Sequence, residues 1–152
     1  MPNTRPLTEI IDEYSQRMIR GDFTALDEHA SDEWVTHANP KHILSQFHEV
    51  TCAKEGERVF YSQVNAAFPR EREIVFHKNV QIDADHVVIN YTIRGIHDGA
   101  PFFDVPPSGE EEAIHGTAII RYENDQMVEH WGGPSCSTCT GYVELKSPPA
   151  FE

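Results

Sequence analysis

The stretch "EEEAIHGTAIIRYENDQMVEHW", residues 110–131, decides the fold of this chain. Its first part carries apolar and β-branched residues in near-alternation, which predicts a β-strand. Asn124-Asp125 is a two-residue turn signal, and "QMVEHW" after it predicts a second strand. The stretch therefore predicts an antiparallel hairpin in which Glu123 pairs with Gln126.

This pairing also predicts which side chains of the hairpin share a face. One face is apolar except for a single carboxylate, and it comprises Ile114, Gly116, Ala118, Ile120, Met127, Glu129 and Trp131. The other face carries His115, Thr117, Arg121 and His130. A bulge or a three-residue turn would exchange the two faces. We expect the face with Glu129 and Trp131 to point inward.

Helical patterns fill the first third of the chain. Thr8 can cap a helix that Gly21 ends, and its apolar stripe comprises Ile10, Ile11, Tyr14, Met18 and Ile19. Asp22 can cap a second short helix through Leu26. The segment "EWVTH", residues 33–37, predicts a short strand. A third helical region, about 43–68, is expected to break near Gly56.

Two strand patterns lie between the helices and the hairpin. Apolar and polar residues alternate over residues 72–83, and the apolar side is formed by Ile74, Phe76, Val80 and Ile82. Residues 85–97 are rich in Val, Ile, Tyr and Thr, which suits a strand. Helices followed by antiparallel strands predict an α+β fold, in which helices pack on a curved, mostly antiparallel sheet and enclose a pocket.

Composition and charge exclude several classes of function. The chain has 152 residues, 25 acidic and 12 basic, with a formal charge of -13. We expect one domain over residues 1–152, with loose tails at 1–6 and 144–152. The acidity argues against nucleic acid or an anionic membrane as partner. No apolar run is long enough for a membrane span or signal peptide, so a cytoplasmic location is expected.

The sequence carries no signature of a metal or organic cofactor. Cys52, Cys136 and Cys139 include one C-x-x-C, but no second pair of ligands at a matching spacing is evident. His37, His97 and His115 likewise lack metal-site spacing. The sequence has no nucleophile elbow, P-loop or dinucleotide fingerprint. We therefore expect acid/base chemistry with no metal and no cofactor.

Several residues are candidates for that chemistry. A carboxylate on an apolar face either has a partner or a function, so Glu129 is a general acid or base, or it pairs with an arginine or caps a loop. His37 ends a strand beside an Asn-Pro turn and can project into a pocket mouth. His97 and His115 are single-site candidates of the same kind. Tyr14 is either a pocket hydroxyl or a core tyrosine.

The strand-rich half resembles the SnoaL-like polyketide cyclases, which belong to the nuclear-transport-factor-2-like superfamily. The matching positions are Arg94, Gly95, His97, Gly99, Pro106, Pro107, Gly109, Arg121, Glu129, His130 and Trp131. "WVTHANP" and "NAAFP" resemble two earlier segments of the same pattern. Many members have an aspartate just after the E-H-W or a few residues on, and this chain has Gly132, Gly133, Pro134 and Ser135 there instead.

The resemblance implies a cone-shaped α+β barrel, commonly a homodimer through the outer sheet face. It also implies a cofactor-independent cyclase, isomerase or dehydratase acting on a small apolar carbonyl substrate. The expected catalytic residues are Glu129, His37 and His115. The expected pocket residues are Tyr14, Trp34, Asn90, Tyr91, Thr92, His97 and Trp131. The alternative is a non-catalytic small-molecule-binding or dimerisation module, which the missing aspartate favours.

Overall fold

The computed structural model describes residues 2–37, 53–103 and 105–136. The elements are α1 (Leu7–Ile19), α2 (Thr24–His29), β1 (Ala30–His37), α3 (Ala53–Ala67), β2 (Arg72–Gln81), β3 (His86–Ile96), β4 (Glu111–Glu123) and β5 (Gln126–Cys136). Cys52, Cys139, the predicted helical turns before α3 and the predicted C-terminal tail lie outside the described residues. Within the described ranges, no helix is long and apolar enough to cross a membrane.

The five strands form one sheet in the order β1-β5-β4-β3-β2. β1 runs parallel to β5, and the other neighbouring strands pair antiparallel. The helices pack on the sheet, so the predicted α+β class is confirmed. The core is apolar and includes residues of every helix and every strand.

The stripe predicted for the first helix is confirmed. Its five residues are all buried, the most exposed being Ile19 at 3%. The helix starts at Leu7, one residue before the predicted cap. Gly21 takes a φ of 88° just after the helix, a conformation that costs glycine little, and its amide bonds back to Met18. The sequence therefore placed the end of α1 correctly.

The expected loose N-terminal tail is wrong for the residues nearest α1. The amide of Thr4 donates to the Asp125 carboxylate at 2.7 Å, and its hydroxyl contacts the same group. The Asn3 side chain donates to the carbonyls of Ala84 and Tyr122 at 3.2 Å. These bonds hold the segment before α1 to the turns at one end of the sheet.

The break predicted near Gly56 is also wrong, because α3 is continuous through it. Gly56 is buried, and a glycine inside a helix costs only about 1 kcal/mol relative to alanine. That cost is small against the burial of the apolar stripe of α3, which includes Phe60, Tyr61 and Val64.

Strand β2 contains a bulge that the alternating sequence does not reveal. Phe76 pairs with Tyr91 and Lys78 pairs with Asn90, so His77 is an extra residue in the ladder. The bulge exchanges the faces of the residues after it. Ile74 is therefore buried, whereas Val80, predicted on the same side, is 49% exposed; Ile82, beyond the strand, is 55% exposed.

The hairpin of β4 and β5 confirms the predicted turn but not the predicted register. Asn124 and Asp125 both have positive φ, 51° and 60°, as a tight two-residue turn requires. Glu123 pairs with Gln126 as expected. Tyr122 then pairs with Met127 and Arg121 with Glu129, which leaves Val128 as a bulge. Without the bulge the predicted hairpin would pair Glu129 with Ile120, and this register is wrong, since His130 takes that place.

Gly116 provides a stability test of the inner sheet face. A Cβ atom at Gly116 would overlap Cζ and Oη of Tyr91, its partner on β3. We expect Gly116→Ala to lower the free energy of unfolding by about 1–3 kcal/mol, because overpacking forces the ring aside. Urea denaturation measures this loss. With Tyr91→Leu added, the two losses should not sum; strict additivity would contradict the steric explanation.

Candidate active site

A cavity lies between α1, α3 and the inner face of the sheet. All of the space between atoms at this site, open solvent at its mouth included, is about 400 Å³, and about 20 Å³ of it can take the centre of a water molecule. Most of its lining is apolar, from Ile11, Phe60, Ile74, Ile89, Ala118, Ile120 and Met127. Its polar groups come from Tyr14, Ser15, Glu57, Tyr61, Tyr91 and His130. An apolar cavity with a few convergent polar groups is the usual form of a small-molecule site.

Glu57 places a carboxyl group in this cavity from α3. It shares one face of the helix with Phe60, Tyr61 and Val64, at spacings of three, four and seven residues. Its side chain keeps some accessible surface, yet burial raises the pKa of Glu57 to about 8. No hydrogen bond or ion pair joins Glu57 to another described residue. The carboxyl group is therefore mainly protonated at neutral pH and ionises just above it.

His130 reaches the cavity from β5 on the opposite wall. It is 4% exposed, and burial lowers its pKa to about 4. A hydrogen bond to the Gly132 backbone partly opposes that shift, as expected when the imidazole donates to a carbonyl. Nε2 has no partner among the described residues, so the bond to Gly132 uses Nδ1. Nε2 then carries a lone pair in the neutral ring and can accept a proton.

Trp34 supports the His130 ring from β1. The two rings stack with centroids 5.7 Å apart and an angle of 17° between their planes. Trp34 is 2% exposed and does not line the cavity. Its predicted role as a pocket residue is therefore corrected to that of a support behind the cavity wall.

Tyr14 supplies an unpaired hydroxyl. The residue is 2% exposed, and Oη lacks a hydrogen-bond partner in the described part of the chain. Burial, with a further contribution from Glu57, raises the pKa of Tyr14 well above its usual value, so it stays a donor. Tyr61 differs because it is hydrogen-bonded to Ser15. Tyr14 and Tyr91, which are among the expected pocket residues, both line the cavity.

The expected inward orientation of Glu129 and Trp131 is wrong. The bulge at Val128 turns both to the outer face, and Glu129 has two partners there. Its Oε2 lies 2.7 Å from Nε2 of His37, and its Oε1 accepts from Nε of Arg121 at 3.0 Å. These hydrogen bonds, to His37 first, lower the pKa of Glu129. The carboxylate that the sequence singles out is therefore satisfied outside the cavity.

His37 lies on the same outer surface. It is exposed, and its ring stacks on Trp131 with centroids 5.3 Å apart and planes 18° from parallel. Neither residue lines the cavity. The two were expected to serve the pocket, and the bulge in β5 together with its parallel pairing to β1 places them outside instead.

Three more expected site residues form a polar cluster on the outer face of β3 and β4. Thr92 Oγ1 lies 2.9 Å from Nδ1 of His115 and 2.8 Å from Nε2 of His77. Asn90 donates to Thr117 Oγ1 at 2.9 Å. Burial lowers the pKa of His115. Strand alternation directs these side chains away from the cavity, because their neighbours on each strand face inward.

His97 is buried but lies outside the cavity. Its Nε2 donates to the carbonyl of Ala100 at 2.9 Å, and its ring meets Phe68 edge-on. It stabilises the loop that follows β3. The expectation that His97 lines the pocket is therefore wrong.

Glu57 and His130 were not among the site residues expected from the sequence. A signal for Glu57 exists, since a glutamate stands in the apolar stripe of an amphipathic helix. The predicted break at Gly56 conceals it, because the stripe then starts after Glu57. The signal for His130 was the alternative register with a bulge, which places His130 inward.

Comparison with known proteins places the chain in a family. The family model described as SnoaL-like polyketide cyclase matches residues 8–135. The chain belongs to the SnoaL-like polyketide cyclase family. No curated protein matches its sequence.

Solved structures share the fold of this SnoaL-like chain at low sequence identity. IdmH from Streptomyces antibioticus, a proposed polyketide cyclase, is 21% identical with a TM-score of 0.66 and covers 86% of this chain and 93% of its own. A SnoaL-like polyketide cyclase from Agrobacterium tumefaciens is 13% identical with a TM-score of 0.63, and the match covers 89% of this chain and 95% of that protein. AclR from Streptomyces galilaeus, a proposed hydroxylase, is 17% identical with a TM-score of 0.68, and the match covers 87% of this chain and 80% of that protein.

This SnoaL-like chain has no room for a side chain just after its E-H-W. Gly132 has a φ of 80°, and a Cβ atom there would overlap the carbonyl oxygen of Thr117. An aspartate at this position would need both a strained backbone and a displaced neighbour. The cavity therefore takes its carboxyl group from α3 rather than from β5.

The described residues offer no evident metal centre. No group of three or more His, Cys, Asp or Glu side chains among them could hold an ion. Among the polar groups of the cavity, Glu57 stands on the helical wall and His130 on the sheet wall.

The raised pKa of Glu57 predicts a pH-dependent stability. Its ordinary pKa is 4.5 and its folded pKa is about 8. The native state therefore holds the proton more tightly, and this contribution to stability is lost as pH rises from 4.5 through 8. His130 acts in the opposite sense below pH 6.5, its ordinary pKa, so the window above 6.5 isolates Glu57 from it.

We expect Glu57→Gln to gain stability over the wild type between pH 6.5 and 8.5. The difference should grow by up to about 1.4 kcal/mol per pH unit, the limit for one proton. Urea denaturation across this range measures it. Glu55→Gln is the matched control on the same helix, because Glu55 is exposed, and it should leave the slope unchanged. Parallel pH profiles for Glu57→Gln and wild type would refute the perturbed pKa.

Proposed function

We propose that this chain is a cofactor-independent acid/base enzyme that acts on a small, apolar, carbonyl-bearing substrate within the cavity. Its reaction would be an aldol cyclisation, an isomerisation or a dehydration. One observation carries the proposal: Glu57, with a pKa of about 8, lines an apolar cavity together with neutral His130. General bases act best when their pKa lies near the working pH.

In the proposed mechanism, ionised Glu57 removes a proton from the carbon next to the substrate carbonyl. Glu57 becomes neutral, and the electron pair moves onto the carbonyl oxygen as an enolate. The enolate carbon can then attack a second carbonyl of the same molecule, whose oxygen takes up a proton. Returning the proton to a different carbon would isomerise the substrate, and losing a hydroxyl group as water would dehydrate it.

Tyr14 and His130 would complete the chemistry. The buried hydroxyl of Tyr14 can donate a hydrogen bond to the enolate oxygen, where negative charge develops. Nε2 of His130 can accept a hydrogen bond from a substrate hydroxyl or take its proton. A site with little water strengthens both interactions.

The family and its solved relatives support the cyclase form of the proposal. Two of the similar structures are described as a SnoaL-like polyketide cyclase and a proposed polyketide cyclase. Their identities of 13% and 21% support the shared fold, and the reaction assigned to this chain rests on its own cavity residues.

A non-catalytic small-molecule-binding module is the second candidate. Two observations favour it: Glu129 is satisfied by His37 and Arg121 away from the cavity, and Gly132 stands where many family members have an aspartate. Such a module would bind an apolar ligand without exchanging its protons. Measuring the exchange of substrate α-protons therefore separates the two candidates.

Exchange of α-protons tests the proposed step directly. 2-Tetralone is an apolar ketone, and NMR in D₂O follows the loss of its α-proton signals. We expect the wild type to accelerate this exchange, with a rate that rises with pH toward 8 as Glu57 ionises. Glu57→Gln should lose about 10²–10⁴-fold, the usual contribution of a general base.

Glu55→Gln controls for charge removal on the same helix and should exchange protons at the wild-type rate. Wild-type exchange by Glu57→Gln would remove Glu57 from the mechanism. Binding of 2-tetralone with no acceleration in the wild type would favour the binding module. The expected homodimer, the cytoplasmic location and the expected lack of nucleic-acid or membrane partners stay predictions.

A further inference from the structure

Four outer-face residues connect the three strands that surround His130. His37 lies on β1, Arg121 on β4, and Glu129 and Trp131 on β5. We call this group the outer clamp. None of its members lines the cavity.

Glu129 is the centre of the outer clamp because it uses both carboxylate oxygens on different strands. Oε1 accepts from Arg121 of β4 at 3.0 Å, and Oε2 meets His37 of β1 at 2.7 Å. The His37 ring also stacks on Trp131, its register partner on β5. One side chain therefore bridges the central strand β4 and the edge strand β1 across β5.

The outer clamp lies at the point where the register of β5 changes. Val128 is the bulged residue, and Glu129 is the next residue in the chain. Because of the bulge, Met127 and His130 both face inward although three positions separate them. A ladder without the bulge would place Glu129 on the inner face and His130 on the outer face.

The clamp makes that alternative costly. An inward Glu129 would bury a carboxylate in the apolar lining and leave Arg121 and His37 without this partner. Partly exposed ion pairs contribute little individually, and Glu129 and Arg121 are 25% and 30% exposed. Together they stabilise the register more than either ion pair does alone, because a change of register in β5 would break every contact of the outer clamp.

We propose that Glu129 is a positioning residue: it holds β1, β4 and β5 in the bulged register that turns His130 into the cavity. The residue expected from the sequence to be the base would thus act through its neighbour. The inference depends on the proposed function only for the catalytic role of His130. The orientation of the His130 side chain can be tested without a substrate.

NMR titration of the imidazoles tests the proposal on the free protein. The His130 signals are assigned by their loss in His130→Gln. In the wild type we expect His130 to titrate near its folded pKa of about 4. Alanine fits either face of the sheet, so Glu129→Ala should loosen the register and move the His130 titration toward 6.5 by about one pH unit or more.

Two variants separate positioning from a general loss of charge. Glu129→Gln keeps an acceptor for Arg121 and should retain the wild-type titration. Glu123→Ala removes the other carboxylate partner of Arg121, which lies on the same strand, and should also leave His130 unchanged. A shift in Glu123→Ala as large as in Glu129→Ala would overturn the proposal.

A folded Glu129→Ala protein with a wild-type His130 titration would also overturn it. Should Glu129→Ala fail to fold, His37→Phe replaces it, because phenylalanine keeps a ring against Trp131 and removes the contact with Glu129. A folded His37→Phe protein whose His130 titrates as in the wild type would overturn the proposal in the same way. Proton exchange by Glu57→Gln is measured separately, so either proposal can fail alone.

Discussion

Arg121 pairs with Glu129 and Tyr122 pairs with Met127, so Val128 is an extra residue in β5 with no partner on β4. The residues after this bulge exchange the faces that simple alternation would give them. His130 comes to lie in the cavity against Trp34, and Glu129 comes to lie between His37 and Arg121. A single insertion in one ladder thus decides which titratable groups a ligand can meet.

The second constraint is the burial of Glu57 among apolar and aromatic side chains. An ionised carboxylate without a partner is costly there, so the group keeps its proton to a higher pH than usual. The burial of Phe60, Tyr61 and Val64 on the same face of α3 stabilises the native state and offsets this cost. The same burial that weakens the fold at alkaline pH gives the proposed base a pKa close to neutral or mildly alkaline conditions.

Local patterns predicted those parts of the molecule that depend on neighbours in the chain. Helical spacing found the buried stripe of α1 and the inward Tyr14, and the Asn124-Asp125 signal found the hairpin turn. The bulges at His77 and Val128 were not predictable in this way, because a bulge is a property of two paired strands. Glu57 escapes prediction for a different reason: the adjacent Gly56 predicts a break in the helix, and the packed helix tolerates this glycine without one.

The E-H-W motif of this chain therefore divides between two faces of one strand. Its histidine faces the cavity, whereas its glutamate and tryptophan hold the edge strand from outside. An aspartate after the motif would approach a substrate from the sheet, and Gly132 leaves no space for one. Glu57 approaches from the helical wall instead. Since α3 and β5 form different walls, the proposed base Glu57 would reach a bound substrate from a different side than a carboxylate on β5 would, while the fold stays the same.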